Sequence, residues 1–263
     1  MGEMSEYKPG TFCWAELATS DPEAAKKFYG DLFGWEHHDD PVGEGMVYTM
    51  LLQGGKNVGA LYGINEEMKA HNVPPHWLSY VSVASVDDSV AKAKELGAEV
   101  PRPAMDVMDI GRMAVLADPT GAHFALWQPK QVHGAQLVNE PVSLCWNELM
   151  TTSVEDAGKF YTNLFGWGTE VKPMGEASYT MFKNGDWGAA GMMGITPDMG
   201  PVPSNWMVYF AVADCELTTE KAAAAGAQVL VPVTDIPEVG KFSVMTDPQG
   251  AAFAIVKMNQ PPK

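Results

Sequence analysis

Residues 13–35 read CWAELATSDPEAAKKFYGDLFGW and residues 145–167 read CWNELMTTSVEDAGKFYTNLFGW. The Cys, Trp, Glu, Phe-Tyr and closing Phe-Gly-Trp of the first stretch all recur 132 residues later. An ungapped correspondence of that length is a duplication, so one structural unit fills each half of the chain. The echo continues downstream with small length changes. WLSYVSV from Trp77 matches WMVYFAV from Trp206, and VLADPTGAHFALW from Val115 matches VMTDPQGAAFAIV from Val244, now 129 residues apart. The difference of three residues places insertions in the loops between. A pocket built in one repeat therefore has a twin in the other, and a residue that breaks the symmetry is a functional candidate.

Local patterning gives the unit its shape. In repeat one a strand is predicted over 12–18, followed by a helix opened by Ser20-Asp21-Pro22-Glu23. There Ser20 and Glu23 have capping-box spacing and Pro22 falls in the first turn. Ala24, Phe28, Leu32 and Phe33 keep helical spacing, and Gly34 stops the helix. Three short strands follow at 35–38, 46–53 and 58–64, making one βαβββ module. The pattern then restarts with a strand at 77–83, a helix at 87–96 closed by Gly97, and strands at 99–107, 112–116 and 123–127. The last two are joined by the turn Asp118-Pro119-Thr120-Gly121. Each half holds two such modules and the chain four, an α+β architecture. Residues 130–141, polar and bounded by prolines, read as the linker between a first domain over 1–129 and a second over 142–263.

Composition narrows the partners. At 263 residues with 46% hydrophobic content, the chain can bury two cores of ordinary domain size. Its formal charge of −16, with no Lys/Arg-rich stretch, argues against nucleic acid and anionic membrane surfaces. The N-terminus MGEMSEYKPG lacks a basic region followed by an apolar run, and no stretch of about 20 apolar residues occurs. The expectation is a cytoplasmic protein with a small-molecule partner, with homo-oligomerisation left open. Cys13 and Cys145 occupy the same position in the two repeats and read as small buried core residues, and nothing marks Cys215 as activated.

The segment DPEAAKKFYGDLFGW from Asp21, its copy ending at Trp167, and the two D-P-x-G turns at Asp118 and Asp247 resemble the vicinal oxygen chelate superfamily. That superfamily includes glyoxalase I, extradiol dioxygenases and bleomycin-resistance proteins. More narrowly the chain resembles bacterial tandem proteins labelled glyoxylases or hydroxylases. The resemblance implies that the four βαβββ modules pair into two cup-shaped, eight-stranded glyoxalase-like domains. It also implies a metal in each cup, held by one residue from each of four strands. The corresponding positions here are Trp14, Ala60, Leu78 and Ala125 in repeat one, and Trp146, Gly191, Met207 and Ala254 in repeat two. None has a side chain suited to a hard divalent ion, so no metal and no cofactor are expected.

Those positions fix the inner faces, since residues two apart on a strand share a face. The first cup then carries Trp14, Glu16, His76, Leu78, Tyr80, Ser82, His123, Ala125 and Trp127, and the second Trp146, Glu148, Asn205, Met207, Tyr209, Ala211, Ala252, Ala254 and Val256. Cys13, Leu17, Cys145 and Leu149 face the helices. Glu16 and Glu148 are the candidate catalytic residues, because a carboxylate beside indole in an apolar cup has its pKa raised by desolvation and can act as acid or base. A buried carboxylate bonded to backbone or to a Tyr hydroxyl is the competing reading. Trp14, Trp127 and Trp146 offer flat surfaces for a planar ligand or simply fill the cups. Tyr80, Tyr209, Asn205 and Met207 complete the candidate ligand-binding set. His76 and His123 break the symmetry against Asn205 and Ala252. With Glu16 they form a conceivable displaced metal site, while His37-His38-Asp39-Asp40 reads as a solvated face. Met105, Met108, Met113, Met192, Met193 and Met207 fall in or near the cups and suit either ligand contact or core packing.

The expectation is a binding protein for a small, largely apolar, planar organic molecule in a metal-free, aromatic-lined cup. The alternatives are a metal-independent lyase, isomerase or hydrolase moving a proton through Glu16 or Glu148, and a metal-dependent enzyme with displaced ligands. A weaker reading gives the acidic surface a protein partner, and a cup plugged by its own tryptophan would favour it.

Overall fold

Strand β1 (Thr11–Thr19) leads into helix α1 (Pro22–Phe33), and the cap between them is Asp21 rather than Ser20. The Asp21 carboxylate accepts the Ala24 N–H at 3.1 Å, which leaves Pro22 at the first helical position, where its missing N–H is not needed. Gly34 ends the helix at φ 74°, a left-handed conformation that glycine adopts without strain. The structure, a computed structural model, describes residues 2–43, 45–174 and 177–259. Residue 44 of the loop Pro41–Gly45 and the last four residues of the second domain lie outside the described residues.

The first repeat continues with β2 (Glu36–Pro41), β3 (Val47–Gln53), β4 (Lys56–Gly63), α2 (Glu66–Ala70), β5 (His76–Ser82), α3 (Val86–Glu95), β6 (Glu99–Val107), β7 (Gly111–Ala117) and β8 (His123–Pro129). The second holds β9 (Leu144–Thr151), α4 (Val154–Phe165), β10 (Gly168–Met174), β11 (Ala177–Asn184), β12 (Trp187–Gly194), β13 (Asn205–Ala211), α5 (Cys215–Ala224), β14 (Gln228–Ile236), β15 (Gly240–Thr246) and β16 (Ala252–Met258). Helix α2 was not expected from sequence. At five residues it is too short to show a helical period, and it forms because the Asn65 side chain caps Met68 N–H at 2.8 Å.

Each repeat makes its own eight-stranded mixed sheet, in the orders β2-β3-β4-β1-β5-β8-β7-β6 and β10-β11-β12-β9-β13-β16-β15-β14. The two βαβββ modules of a repeat meet at the antiparallel β1–β5 or β9–β13 pair. The sheets do not close into barrels; each is a cup with a concave inner face. The helices lie on the outer faces, where the two repeats pack back to back. One core joins Phe28, Tyr29 and Phe33 of α1 to Phe210, Ala222 and Phe253 of repeat two. The other joins Phe160, Tyr161 and Leu164 of α4 to Val81, Leu116 and Phe124 of repeat one.

Crossed hydrogen bonds fix this packing. Tyr29 Oη–H donates to Asp247 at 3.0 Å and accepts Trp77 Nε1–H at 3.0 Å, while Tyr161 Oη–H donates to Asp118 at 2.9 Å and accepts Trp206 Nε1–H at 2.8 Å. Trp35 Nε1–H reaches Val142 O and Trp167 Nε1–H reaches Gly10 O, at 2.8 and 2.9 Å. The repeated Phe-Tyr and D-P-x-G motifs are thus the two sides of one joint. The segment after β8 is pinned rather than free: Ala135 N–H donates to Cys13 O, Gln136 N–H to Asn57 O, and Ala135 is buried.

Candidate functional site

The floor of the first cup is a hydrogen-bonded chain of four side chains. Strand alternation turns Trp14 and Glu16 of β1 inward, and the register sets Trp14 opposite Tyr80 and Glu16 opposite Leu78 on one side and Ala60 on the other. Trp14 Nε1–H donates to Tyr48 Oη at 3.2 Å, Tyr48 Oη–H donates to Glu16 Oε2 at 2.8 Å, and Tyr80 Oη–H donates to Glu16 Oε1 at 2.5 Å. Both carboxylate oxygens are therefore satisfied, as a buried carboxylate requires. Glu16 is only 7% exposed, Trp14 8% and Tyr80 3%. Burial pushes the Glu16 carboxyl above its ordinary value, while the two tyrosine donors and the charge of Arg102 pull it back in part. The same burial, with the carboxylate alongside, holds the Tyr48 and Tyr80 hydroxyls protonated.

The second cup repeats the arrangement more loosely. Trp146 Nε1–H donates to Tyr179 Oη at 3.1 Å and Tyr209 Oη–H to Glu148 Oε1 at 3.1 Å. Burial raises the Glu148 carboxyl too, while the Tyr179 hydroxyl holds it down in part. Trp146 and Glu148, however, are half-buried where Trp14 and Glu16 are buried. The aromatic cross-strand partner has also changed strands: the first cup pairs Met113 with Trp127, and the second Phe242 with Val256.

Two sequence profiles match, the Glyoxalase/Bleomycin resistance protein/Dioxygenase superfamily over residues 11–126 and a Glyoxalase-like domain over residues 145–256. The mycobacterial protein named "Putative glyoxylase CFP32", from Mycobacterium tuberculosis, is 44% identical over 98% of both chains. The chain belongs to this superfamily. The anthracycline biosynthesis protein DnrV of Streptomyces peucetius is 32% identical over 98% of this chain and 96% of its own. Among solved structures, the Mn(II)-bound glyoxalase from Novosphingobium aromaticivorans superposes with a TM-score of 0.67 at 15% identity, covering 100% of this chain and 85% of its own. The 2,3-dioxygenase LapB from Pseudomonas sp. KL28 gives 0.64 at 13%, covering 98% and 96%. At those identities the likeness is one of fold.

The superfamily's metal does not fit the side chains present. Register brings Trp14, Ala60, Leu78 and Ala125 onto the floor of the first cup, and Trp146, Gly191, Met207 and Ala254 onto that of the second. An indole, two methyl groups and an isobutyl group offer no donor to a divalent ion, and the second set adds only a thioether. Glu16, His76 and His123 do not converge either. Among the described residues no group of three His, Cys, Asp or Glu side chains is arranged to hold a metal ion.

Several sequence-predicted residues have their polar atoms committed elsewhere. His76 Nδ1–H donates to Pro74 O at 2.8 Å, and Asn205 Nδ2–H, at the same place in repeat two, donates to Pro203 O at 2.8 Å. The apparent break in symmetry is one structural role filled by two residue types. His123 is exposed at the start of β8. Trp127 Nε1–H is taken by Val132 O at 2.8 Å, and the Tyr80 and Tyr209 hydroxyls are spent on Glu16 and Glu148. Met192 faces the α4 core rather than the cup. His38 lies exposed against Asp40 at 3.1 Å. The three cysteines are buried, and burial raises each thiol, Cys215 to about 11.

Sequence reasoning missed Tyr48, Tyr179, Tyr62 and Arg102. The signal for the first two was the shared Tyr-Thr-Met at 48–50 and 179–181, one strand away from the compared segments. Tyr62 stacks on Tyr48 with ring centroids 6.3 Å apart and planes 17° from parallel, and both rings are half-buried. Two open concavities lie along α1 and between α1 and α5, outside the cups.

Proposed function

We propose that this protein binds a small, planar organic molecule at the mouth of its first cup, without the superfamily's usual metal. The observation that carries the reading is the half-buried, near-parallel Tyr48–Tyr62 pair, whose Tyr48 is bonded to the buried Glu16 carboxylate. An aromatic surface with a single polar chain beneath it favours a flat apolar body with one hydrogen-bonding edge. The packed floor means that the ligand lies across Trp14, Tyr48 and Tyr62 rather than in a hole under them. The ligating positions, filled by indole and alkyl groups, support a metal-free site. The names of relatives agree, since an anthracycline has a planar polycyclic body and two relatives are named for its biosynthesis.

A second reading rests on the carboxyls themselves. Burial raises the carboxyls of both Glu16 and Glu148, and each accepts a hydrogen bond from a tyrosine hydroxyl that can pass a proton to or from it. This arrangement suits metal-independent proton transfer at a carbon beside a carbonyl. Glu16→Gln separates the two. With 2-naphthamide as probe, calorimetry should find binding weakened less than about tenfold, the scale of one neutral hydrogen bond. If the second reading holds, deuterium wash-in next to the carbonyl of a turned-over ketone falls by about a hundredfold or more. No binding of 2-naphthamide or of 2-naphthoate at millimolar concentration by the unmodified protein would overturn the first reading.

A further inference from the structure

The chain contains two arginines, and they stand in opposite situations. Arg112 grips Asp87 through Nε and Nη2, both at 2.9 Å. Arg102, among the described residues, has no ion pair and no hydrogen bond, although the chain carries 33 Asp and Glu. Its place in the fold explains what it faces. On the edge strand β6 it sits opposite Val115, and the row runs on through Ala125 and Tyr80 to Trp14 on the cup floor. The row shares the inner face of the sheet, and the Arg102 charge acts on both Glu16 and Tyr62. In the second cup the same row reads Val231, Val244, Ala254, Tyr209, Trp146, and the position of Tyr62 is Met193. The cation is present in one cup only.

We propose that Arg102 is a specificity residue that makes the first cup select a planar organic anion, such as an aromatic carboxylate, while the second cup has no such preference. The proposal rests on the reading that a planar molecule occupies the first cup, and it adds the charge of that molecule. A guanidinium with its donors unused can bind a carboxylate through two parallel hydrogen bonds, which a lysine cannot match in geometry. His76 does not share the task, because its Nδ1–H is held by Pro74 O and the neutral ring then offers only a lone pair. Glu16 beneath is screened from a bound anion, since both its oxygens are covered by tyrosine hydroxyls.

Calorimetric titration of the full chain with 2-naphthoate, 2-naphthamide and 2-naphthylmethylammonium tests this. The unmodified protein should bind naphthoate about tenfold more tightly than the amide, the scale of one charge-assisted hydrogen bond, and the ammonium most weakly. Arg102→Val, the residue the second cup carries, should bring naphthoate down to the amide's affinity with an unchanged melting temperature, and Arg102→Lys should recover part of the difference. Val231→Arg should add a second naphthoate per chain. Equal affinity for naphthoate and the amide, or naphthoate binding untouched in Arg102→Val, would overturn the proposal while leaving the planar-ligand reading intact. Failure of all three probes at millimolar concentration would overturn both.

Discussion

The two cups have the same skeleton and the same four residue types on the floor, yet one is tight and the other slack. In the first, Trp14 and Glu16 are buried, and the Tyr80–Glu16 bond is 2.5 Å; in the second, Trp146 and Glu148 are half-buried and the matching bond is 3.1 Å. Part of the difference traces to one methyl group. Ala60 lies beside Glu16, whereas Gly191 lies beside Glu148, and a Cβ there would stand 1.9 Å from the Tyr179 hydroxyl and 3.0 Å from Trp146 Nε1. Tyr179 therefore occupies space that the first cup gives to Ala60. The lesson is that duplication preserved the polar centre while the packing around it diverged.

The strongest way to break the comparison is to remove each tryptophan. Trp14→Ala should cost about 3–5 kcal/mol in denaturant unfolding, and Trp146→Ala only about 2 kcal/mol, because its ring already faces solvent in part. Equal losses would mean that the cups are equally packed. Next, Gly191→Ala should displace Tyr179 from its bond with Trp146 at about 1–3 kcal/mol, whereas Ala60→Gly should cost about 1 kcal/mol and leave Tyr48 in place. The Tyr ring resonances in NMR spectra would report which chain is disrupted. The smallest effect concerns pH. Glu16 has a folded-state pKa raised above its ordinary 4.5, so its protonated form stabilises the fold below that value. This stabilisation is lost as pH rises through the raised folded value. Glu16→Gln should flatten the fall in melting temperature above about pH 4.5, and Glu148→Gln should do so less. A pH profile unchanged in Glu16→Gln would show that the carboxylate is fully compensated by its two tyrosines.

Much of this was legible in the chain. The duplication, the four modules and the Gly34 stop all act locally, and the inward set Trp14, Glu16 and Tyr80 follows from strand alternation anchored on the repeated segment; the α1 cap falls one residue later than the spacing predicts, at Asp21 rather than Ser20. What escaped was what depends on contacts between distant strands. Tyr48 joins Glu16 across the intervening strand β4, and Arg102 acts on Glu16 from the far edge strand β6. His76 shows the opposite failure. Its mismatch with Asn205 looked functional, yet both side chains donate to the carbonyl two residues back.

The crossed joint between the repeats has a consequence for how such a chain arises and is cut. Tyr29 with Asp247 and Tyr161 with Asp118 are related as the two halves of an isologous contact, in which each surface binds its own copy. The protein is in effect a homodimer whose subunits have been fused, and residues 130–143 are the covalent tie. Fusion replaces an association that depends on concentration with one set by an effective local concentration, in the millimolar range for short tethers. It also frees the two copies to differ, as identical subunits cannot, so an arginine can be placed in one cup and withheld from the other.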